Sequence, residues 1–422
     1  MAAIPGRIAF LACIALGGLA AGARGDFQLR DGDTVVFLGD SITAERTYGK
    51  VVENYTLLRF PDRKVRFINA GRGGDTAAGG LKRLDRDVLD AGATVVIVAY
   101  GINDIGWGTK ADDEHRALYL DSIRVIVGRC RARHARVYVA SAALTNETAD
   151  DGEASYLQRM CDDAMALARD LGEHSIDVQR SMRTVHRSVR AARARAKDEK
   201  DKPTMHAADG IHLNELGQVA MAFAILKGLD APAEVSSLTL DARDPGQAEA
   251  VGCTVANAAG DAQRLAFDRL DAGLPINFGA LGGLRFGYLP IGDELNRYML
   301  AVRNLPEGRY DVRADDRPLG HWSADQLARG VNIASATANG WEPGGPWEAQ
   351  AWVLRQITDA RSEVAEAYRN LGDYLPGHPE RARLGEQAAA TDDQFIADQR
   401  ALVRPRPFHF VITPHAEKSP GR

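Results

Sequence analysis

The chain has 422 residues, 45% of them hydrophobic and 26% charged. This composition is typical of a globular protein and excludes a disordered or collagen-like one, and the length predicts more than one domain. With 52 basic and 57 acidic residues the formal net charge is −5, which excludes a general electrostatic attraction to nucleic acid or to an anionic membrane.

The N-terminus has the pattern of a secretory signal peptide. Arg7 precedes an apolar run from Ile8 to Ala21, and the small residues that follow resemble a cleavage site. A membrane anchor is the alternative, but the run is shorter than the ~20 apolar residues that a spanning helix needs. Cys13 lies inside the run and not after it, which argues against lipid attachment. We therefore expect residues 1–23 to be removed and the chain to be exported to the periplasm or beyond, without stable membrane insertion.

Short apolar runs alternate with amphipathic stretches over residues 27–230. Residues with helical spacing lie between the runs, as in Tyr48, Val52 and Tyr55. Strands that alternate with helices predict a parallel sheet covered on both faces, whose ligands bind at the carboxyl ends of the strands. Five runs are predicted to be buried strands: Val35–Leu38, Val65–Ile68, Val95–Tyr100, Val137–Ala140 and Ser175–Val178.

Polar motifs follow the first three of these strands. Ser41 comes directly after the first strand, in Gly-Asp-Ser-Ile-Thr, and just before a predicted helix. The second strand leads to Gly73 and Gly74, and glycines permit a close backbone approach to a ligand. The third leads to Asn103, whose amide can donate a hydrogen bond to a developing oxyanion. Each motif alone is equally typical of an ordinary cap or turn.

A fourth motif, Asp209-Gly-Ile-His212, precedes a helix predicted over Glu215–Leu226. An Asp three residues before a His in a turn can fix the imidazole tautomer, which leaves the other ring nitrogen free to take a proton from a hydroxyl. The alternative is a metal site formed by Asp209, His212 and His206, although this spacing matches no usual zinc pattern.

In residue type, order and strand context, the four motifs resemble those of the SGNH/GDSL hydrolase family, over roughly residues 33–227. The resemblance implies a three-layer α/β domain with a flavodoxin-like parallel sheet, and no cofactor or metal. It implies that Ser41 is the nucleophile of an esterase, that His212 is its general base and acid, and that Asp209 orients His212. It also implies an oxyanion hole formed by the Ser41 and Gly74 amides and the Asn103 side chain. Gly74 fits the family's second block better than Gly73 does.

The sequence changes in character after residues 230–233. Residues 235–422 are predicted to form a β-rich accessory domain with a helical hairpin inserted at about 346–402. Strands are predicted at Leu238–Leu240, Tyr298–Val302, Tyr310–Val312 and Pro407–Ile412, and the second helix of the hairpin at Glu380–Leu402.

The three cysteines that follow the signal segment are Cys130, Cys161 and Cys253, and they have no metal-type spacing. We expect buried free thiols, with one disulfide as the alternative.

The substrate is less constrained than the chemistry. A signal peptide with an accessory domain resembles the carbohydrate-deacetylating branch of the family, so we expect acetyl or similarly short esters on a small molecule or polysaccharide. A lipase, a lysophospholipase or an acyltransferase would use the same residues, and a glycan-binding surface protein with a vestigial hydrolase domain is the non-enzymatic alternative. Trp322, Trp341 and Trp347 would stack on sugars or be core residues. Trp107 would line the acyl pocket or anchor its loop.

Overall fold

The computed structural model describes residues 27–146, 152–198, 202–278 and 286–416. The expected signal peptide, residues 1–23, lies outside the described residues. In the part of the chain that is described, no helix is both long and apolar enough to cross a bilayer.

The N-terminal domain contains one five-stranded parallel sheet in the order β2-β1-β3-β4-β5. Its strands are β1 (Thr34–Gly39), β2 (Arg66–Gly71), β3 (Val95–Ala99), β4 (Arg136–Ala140) and β5 (His174–Ile176). This order is that of a flavodoxin-like, doubly wound sheet, so the predicted fold class is confirmed. Every residue of β3 is buried, as expected for a central strand covered on both faces.

One strand ends earlier than the sequence predicted. The apolar pattern predicts a fifth strand that extends to Val178, but Val178 begins a helix. The side chain of Asp177 caps this helix by accepting a hydrogen bond from the amide of Arg180 at 3.0 Å. The prediction was wrong here because it joined the apolar residues Ile176 and Val178 into one strand, although Asp177 between them is a helix cap.

The helices of this domain form two groups. Their bounds are α1 (Ser41–Ala44), α2 (Thr47–Arg59), α3 (Ala77–Lys82), α4 (Asp113–Ala132), α5 (Tyr156–Asp170), α6 (Val178–Arg195) and α7 (Glu215–Gly228). In one group α7 packs against both α2 and α6, and in the other α4 packs against both α3 and α5.

Two mostly antiparallel sheets follow, one with the order β13-β10-β6-β7 and one with the order β12-β11-β14-β9-β8. The strands predicted from sequence correspond to β6, β10, β11 and β14, and only Pro407 lies outside its strand, one residue before β14. β7 was not predicted because all four of its residues are exposed, so it carries no apolar alternation. The bounds are β6 (Glu234–Asp241), β7 (Ala248–Val251), β8 (Cys253–Gly260), β9 (Leu265–Asp271), β10 (Arg297–Arg303), β11 (Arg309–Ala314), β12 (Arg317–Ser323), β13 (Val331–Asn332) and β14 (Phe408–Pro414).

A helical hairpin separates β13 from β14 in the chain. It consists of α10 (Pro346–Tyr374) and α11 (Arg381–Leu402), which pack on each other, and α10 also packs on α2. Two short helices, α8 (Ile291–Glu294) and α9 (Ala324–Arg329), precede it.

The tryptophans of the C-terminal domain have different environments. Trp347 is fully buried, donates from Nε1 to the carbonyl of Ala334 at 2.9 Å and packs against the ring of Tyr298. The sugar-stacking interpretation is therefore wrong for Trp347, which is a core residue. Trp322 is half-buried against the core, and Trp341 is 75% exposed.

Buried polar contacts join the hairpin to the N-terminal domain. Arg361 of α10 donates from Nη1 to Glu53 of α2 at 2.7 Å, and both side chains are less than a tenth exposed. Thr358 donates to the side chain of Asn54 at 2.6 Å. Removal of one partner from a buried ion pair leaves an uncompensated charge, which is destabilising. These contacts therefore favour the observed position of the hairpin against the N-terminal domain.

The three cysteines, Cys130, Cys161 and Cys253, are free and buried. Burial raises the pKa of the Cys130 and Cys161 thiols to about 12 and that of Cys253 to about 11, so they are not reactive thiolates near neutral pH.

Candidate active site

Three of the predicted residues form one hydrogen-bonded chain. The Oγ atom of Ser41 lies 2.8 Å from Nε2 of His212, and Nδ1 of the same ring lies 2.6 Å from Oδ2 of Asp209. A carboxylate accepts hydrogen bonds, so Nδ1 carries the proton of the neutral ring and Nε2 is the acceptor for the serine hydroxyl. The arrangement can therefore remove the hydroxyl proton of Ser41.

The turn that contains Asp209 positions this carboxylate. Its Oδ1 atom accepts hydrogen bonds from the backbone amides of Ile211 and His212, both at 2.9 Å, and Gly210, directly after Asp209, has a φ of +71°. The hydrogen bond from the His212 side chain, together with these two amides, lowers the pKa of Asp209 to about 2. Asp209 is thus a carboxylate at every pH at which the protein is expected to work.

Ser41 lies where β1 ends and α1 begins. The Asp40 side chain caps α1 by accepting from the amide of Ile42 at 3.0 Å, and the Ser41 amide, at the first helical position, has no acceptor within the helix. Gly39 is required before them, since a Cβ there would lie 2.1 Å from Oγ1 of Thr43. Burial raises the pKa of Asp40 to about 7.

The two other predicted oxyanion groups lie on the loops after β2 and β3. Gly74 has a φ of +69°, a conformation that favours glycine. Nδ2 of Asn103 donates to the backbone oxygen of Asp75 at 2.9 Å, which joins the two loops. A primary amide has two N–H donors, so the second remains for a ligand. The roles of Gly74 and Asn103 in the reaction stay predictions.

Trp107 lies beside His212. Its ring is edge-on to that of His212, with centroids 6.0 Å apart and planes at 81°, and it is 48% exposed. Nε1 donates to Oδ1 of Asn103 at 2.8 Å. A φ of +57° is costly for a bulky residue, and such strain concentrates at functional sites. Trp107 both anchors its loop and borders the site.

Arg83 supports the site from beneath and was missed by the sequence analysis. It donates to Asp75 at 2.8 Å, to the carbonyl of Ala70 at 2.7 Å and to the hydroxyl of Tyr100 at 2.9 Å. Its side chain is only 9% exposed. These bonds tie the ends of β2 and β3 to the loop of Gly74. In sequence Arg83 looks like a surface arginine, and its one local partner is Asp87, four residues on.

The alternative metal site is not assembled. Nε2 of His206 lies 2.6 Å from the carbonyl oxygen of Leu144, and burial lowers the pKa of this histidine. Both ring nitrogens of His212 are already engaged by Ser41 and Asp209. Among the residues that the structure describes, His206, Asp209 and His212 do not form a ligand cluster.

Part of the N-terminal domain matches a known protein family. Residues 37–220 match the family model described as GDSL-like lipase/acylhydrolase. No curated protein sequence matches the chain significantly.

Solved structures resemble this chain over different shares of its length. BT4096, described as a gut microbial diltiazem-metabolizing enzyme, has a TM-score of 0.77 at 22% identity, over 92% of this chain and 98% of that one. Axe2, an acetylxylan esterase from Geobacillus stearothermophilus, has a TM-score of 0.40 at 18% identity, over 48% of this chain and 96% of its own. LAE5, an alpha/beta hydrolase enzyme from the metagenome of Lake Arreo, Spain, has a TM-score of 0.39 at 20% identity, over 48% and 97%. The first shows that the two-domain fold is shared over nearly the whole chain.

Proposed function

We propose that this carboxylic ester hydrolase is a serine esterase with the triad Ser41, His212 and Asp209. The proposal starts from the match of residues 37–220 to the GDSL-like lipase/acylhydrolase family. The observation that carries the proposal is the hydrogen-bonded chain from Asp209 through both nitrogens of His212 to the hydroxyl of Ser41. This chain contains the nucleophile, the base and the group that orients the base, which acyl transfer to a serine requires.

The reaction proceeds in two stages. Nε2 of His212 takes the proton of Ser41 as Oγ attacks the acyl carbonyl, and the carboxylate of Asp209 stabilises the imidazolium. His212 then gives the proton to the departing alcohol, which leaves an acyl-enzyme, and water regenerates Ser41 with His212 again as base. The tetrahedral oxyanion accepts hydrogen bonds from the Ser41 and Gly74 amides and from Nδ2 of Asn103.

The exposure of these groups supports a large alcohol. The side chain of His212 is 25% exposed, that of Asp209 is 38% exposed, and Trp107 presents about half of its surface to solvent. A surface site of this kind admits a bulky or polymeric alcohol, and the open face of Trp107 offers a flat apolar platform for a sugar ring. We therefore propose acetyl esters of carbohydrates as the substrate class.

The N-terminal sequence supports an extracytoplasmic location. Its positive start, short apolar run and small residues, at 1–23, are those of a signal peptide. An exported enzyme would meet acetylated polysaccharides and their fragments directly.

A release assay tests the substrate class. The enzyme is offered acetylated sugars, acetylated polymers and p-nitrophenyl esters from acetyl to decanoyl, with the Ser41→Ala variant as the blank. We expect the highest kcat/KM for acetyl esters. Faster turnover of decanoyl than of acetyl esters would favour a lipase, and acyl transfer to an added alcohol would favour an acyltransferase.

A labelling experiment tests whether the site is catalytic at all. A fluorophosphonate reacts with a serine only where a neighbouring base activates it. We expect one label per chain, on Ser41. An unlabelled Ser41 would favour the glycan-binding protein with a vestigial hydrolase domain.

A further inference from the structure

Three side chains of the C-terminal domain converge on one face of its five-stranded sheet. Asp311 on β11 pairs in register with His321 on β12 and with Thr413 on β14. Side chains directly opposite each other in neighbouring antiparallel strands share a face, and so do residues two apart on one strand. His415, two residues after Thr413, therefore joins Asp311 and His321, and its amide extends the ladder by donating to the carbonyl of Arg309 at 2.8 Å.

The donor atoms of these side chains face one another. Nδ1 of His415 lies 2.8 Å from Oδ1 of Asp311, and the rings of His321 and His415 have centroids 4.5 Å apart. One donor atom from each of the three residues lies within 4.8 Å of the other two. Asp311 and His415 are half-buried and His321 is exposed, so the cluster is open to solutes.

We propose that Asp311, His321 and His415 bind one divalent transition-metal ion of the zinc class, with water completing its coordination. Two imidazoles and one carboxylate are the donor set of open zinc sites, whereas calcium and magnesium prefer oxygen donors throughout. Around zinc, with bonds of about 2.0–2.1 Å, tetrahedral donors lie about 3.4 Å apart. The three side chains reach this spacing by small rotations, which their position at the surface permits.

The third ligand distinguishes this cluster from other histidine–aspartate pairs of the protein. His409 on β14 contacts Asp268 on β9 at 2.7 Å, but in the described part of the chain no third ligand joins them. The proposed ion would tie the end of β14 to β11 and β12. Since the donors come from three separate strands, only the folded domain brings them together, and the ion stabilises the folded state.

Calorimetric titration of the chelator-treated full chain with zinc tests the proposal. We expect one site per chain in the parent protein, no measurable site in His321→Ala or His415→Ala, and at least tenfold weaker binding in Asp311→Asn. His409→Ala is the matched control, because it removes a histidine from an aspartate pair on the same sheet, and it should bind zinc as the parent does. Zinc should raise the Tm of the parent and of His409→Ala, but not that of His321→Ala.

Cobalt provides a readout that needs no variant. Co²⁺ added to the unmodified chain should give visible absorption bands that zinc abolishes and that disappear as the imidazoles are protonated in acid. Zinc binding that is unchanged in both histidine variants, or that is lost in His212→Ala instead, would overturn the proposal. So would a stoichiometry of zero in the parent.

Discussion

Nη1 of Arg369, on α10 of the C-terminal domain, donates a hydrogen bond to the carbonyl oxygen of Gly71 at 2.7 Å. Gly71 is the last residue of β2, and the loop that follows it contains Gly74. Four residues further along α10, Asp373 forms an ion pair with Arg72 at 2.6 Å. The C-terminal domain thus contacts the loop that we assign to the oxyanion hole.

Replacement of Arg369 by Met should lower kcat about tenfold, or ~1.4 kcal/mol, with little change in KM. Without the guanidinium the Gly71 carbonyl loses its donor, and the Gly74 loop loses a fixed position. The matched control is Arg66→Met, which breaks the pair with Asp392 at 2.7 Å at the opposite end of β2 and should keep kcat. Steady-state kinetics on an acetyl ester measure both. Parent-like kcat in Arg369→Met would show that the loop does not depend on α10.

Replacement of Ser41 by Ala should lower kcat at least about a thousandfold while Tm stays near that of the parent. In the proposed mechanism the hydroxyl is the nucleophile, and it makes no core contact. Ser122→Ala, which removes a hydroxyl bonded to the Leu118 carbonyl within α4, is the control and should keep full activity. If the Ser41 variant kept more than about a tenth of the activity, a loss under ~1.4 kcal/mol, the assigned nucleophile would be wrong.

Replacement of Asp209 by Asn should lower kcat about 10³–10⁴-fold, because the amide favours the wrong tautomer of His212. The lowered pKa of Asp209, about 2, keeps it ionised throughout the working range. Protonation of Asp209 should therefore not contribute to the acid limb of the kcat/KM profile within the working range. Activity that a chelator removes and zinc restores, in a protein indifferent to the Asp209 change, would point to metal chemistry.

Replacement of Trp107 by Phe should reduce kcat about two- to tenfold, in line with the loss of one hydrogen bond of about 0.5–1.5 kcal/mol. The phenyl ring keeps a flat surface beside His212 but cannot donate to Oδ1 of Asn103. Trp341→Phe, at an exposed indole of the C-terminal domain, is the control and should leave kcat on p-nitrophenyl acetate unchanged. Equal activity of all three proteins would mean that Asn103 is positioned without Trp107.

Replacement of Asp40 by Asn should alter how stability depends on pH. Burial raises the folded-state pKa of Asp40 from 3.8 to about 7. Between these values the folded state holds a proton that the unfolded state has lost, so stability falls as pH rises from about 4 to 7, by at most ~1.4 kcal/mol per unit. Asn has no such proton, and its Oδ1 still accepts from Ile42.

Urea unfolding at several pH values between 4.5 and 7.5 measures this effect. The Asp40→Asn variant should gain stability relative to the parent as the pH rises. Asp104, whose pKa burial raises to about 6, is present in both proteins and contributes to both curves. Parallel curves would mean that Asp40 is ionised in the folded protein at all these pH values.

Local signals explain what the sequence predicts well. The strands of the parallel sheet are buried on both faces, so they appear as continuous apolar runs, and the four motifs lie directly after strands or before a helix. The contacts of Arg83 and Arg369 could not be predicted from sequence, because their partners lie on a strand that is distant in the chain. The partner of Arg369 also lies in another domain. Trp347 shows the same limit, since aromatic residues of the core and of a binding face look alike in sequence.

The position of β14 has a consequence for the order of synthesis. β14 lies between β11 and β9, yet residues 324–407 separate it from β12. Until β14 is added, the ribbons β8–β9 and β11–β12 each have an open edge, and the intervening residues take roughly 4–17 s to synthesise at about 5–20 residues per second. By contrast, all five strands of the N-terminal sheet have been synthesised once the chain reaches Ile176. Translational stalling before residue 408 would leave both edges free to pair with other chains.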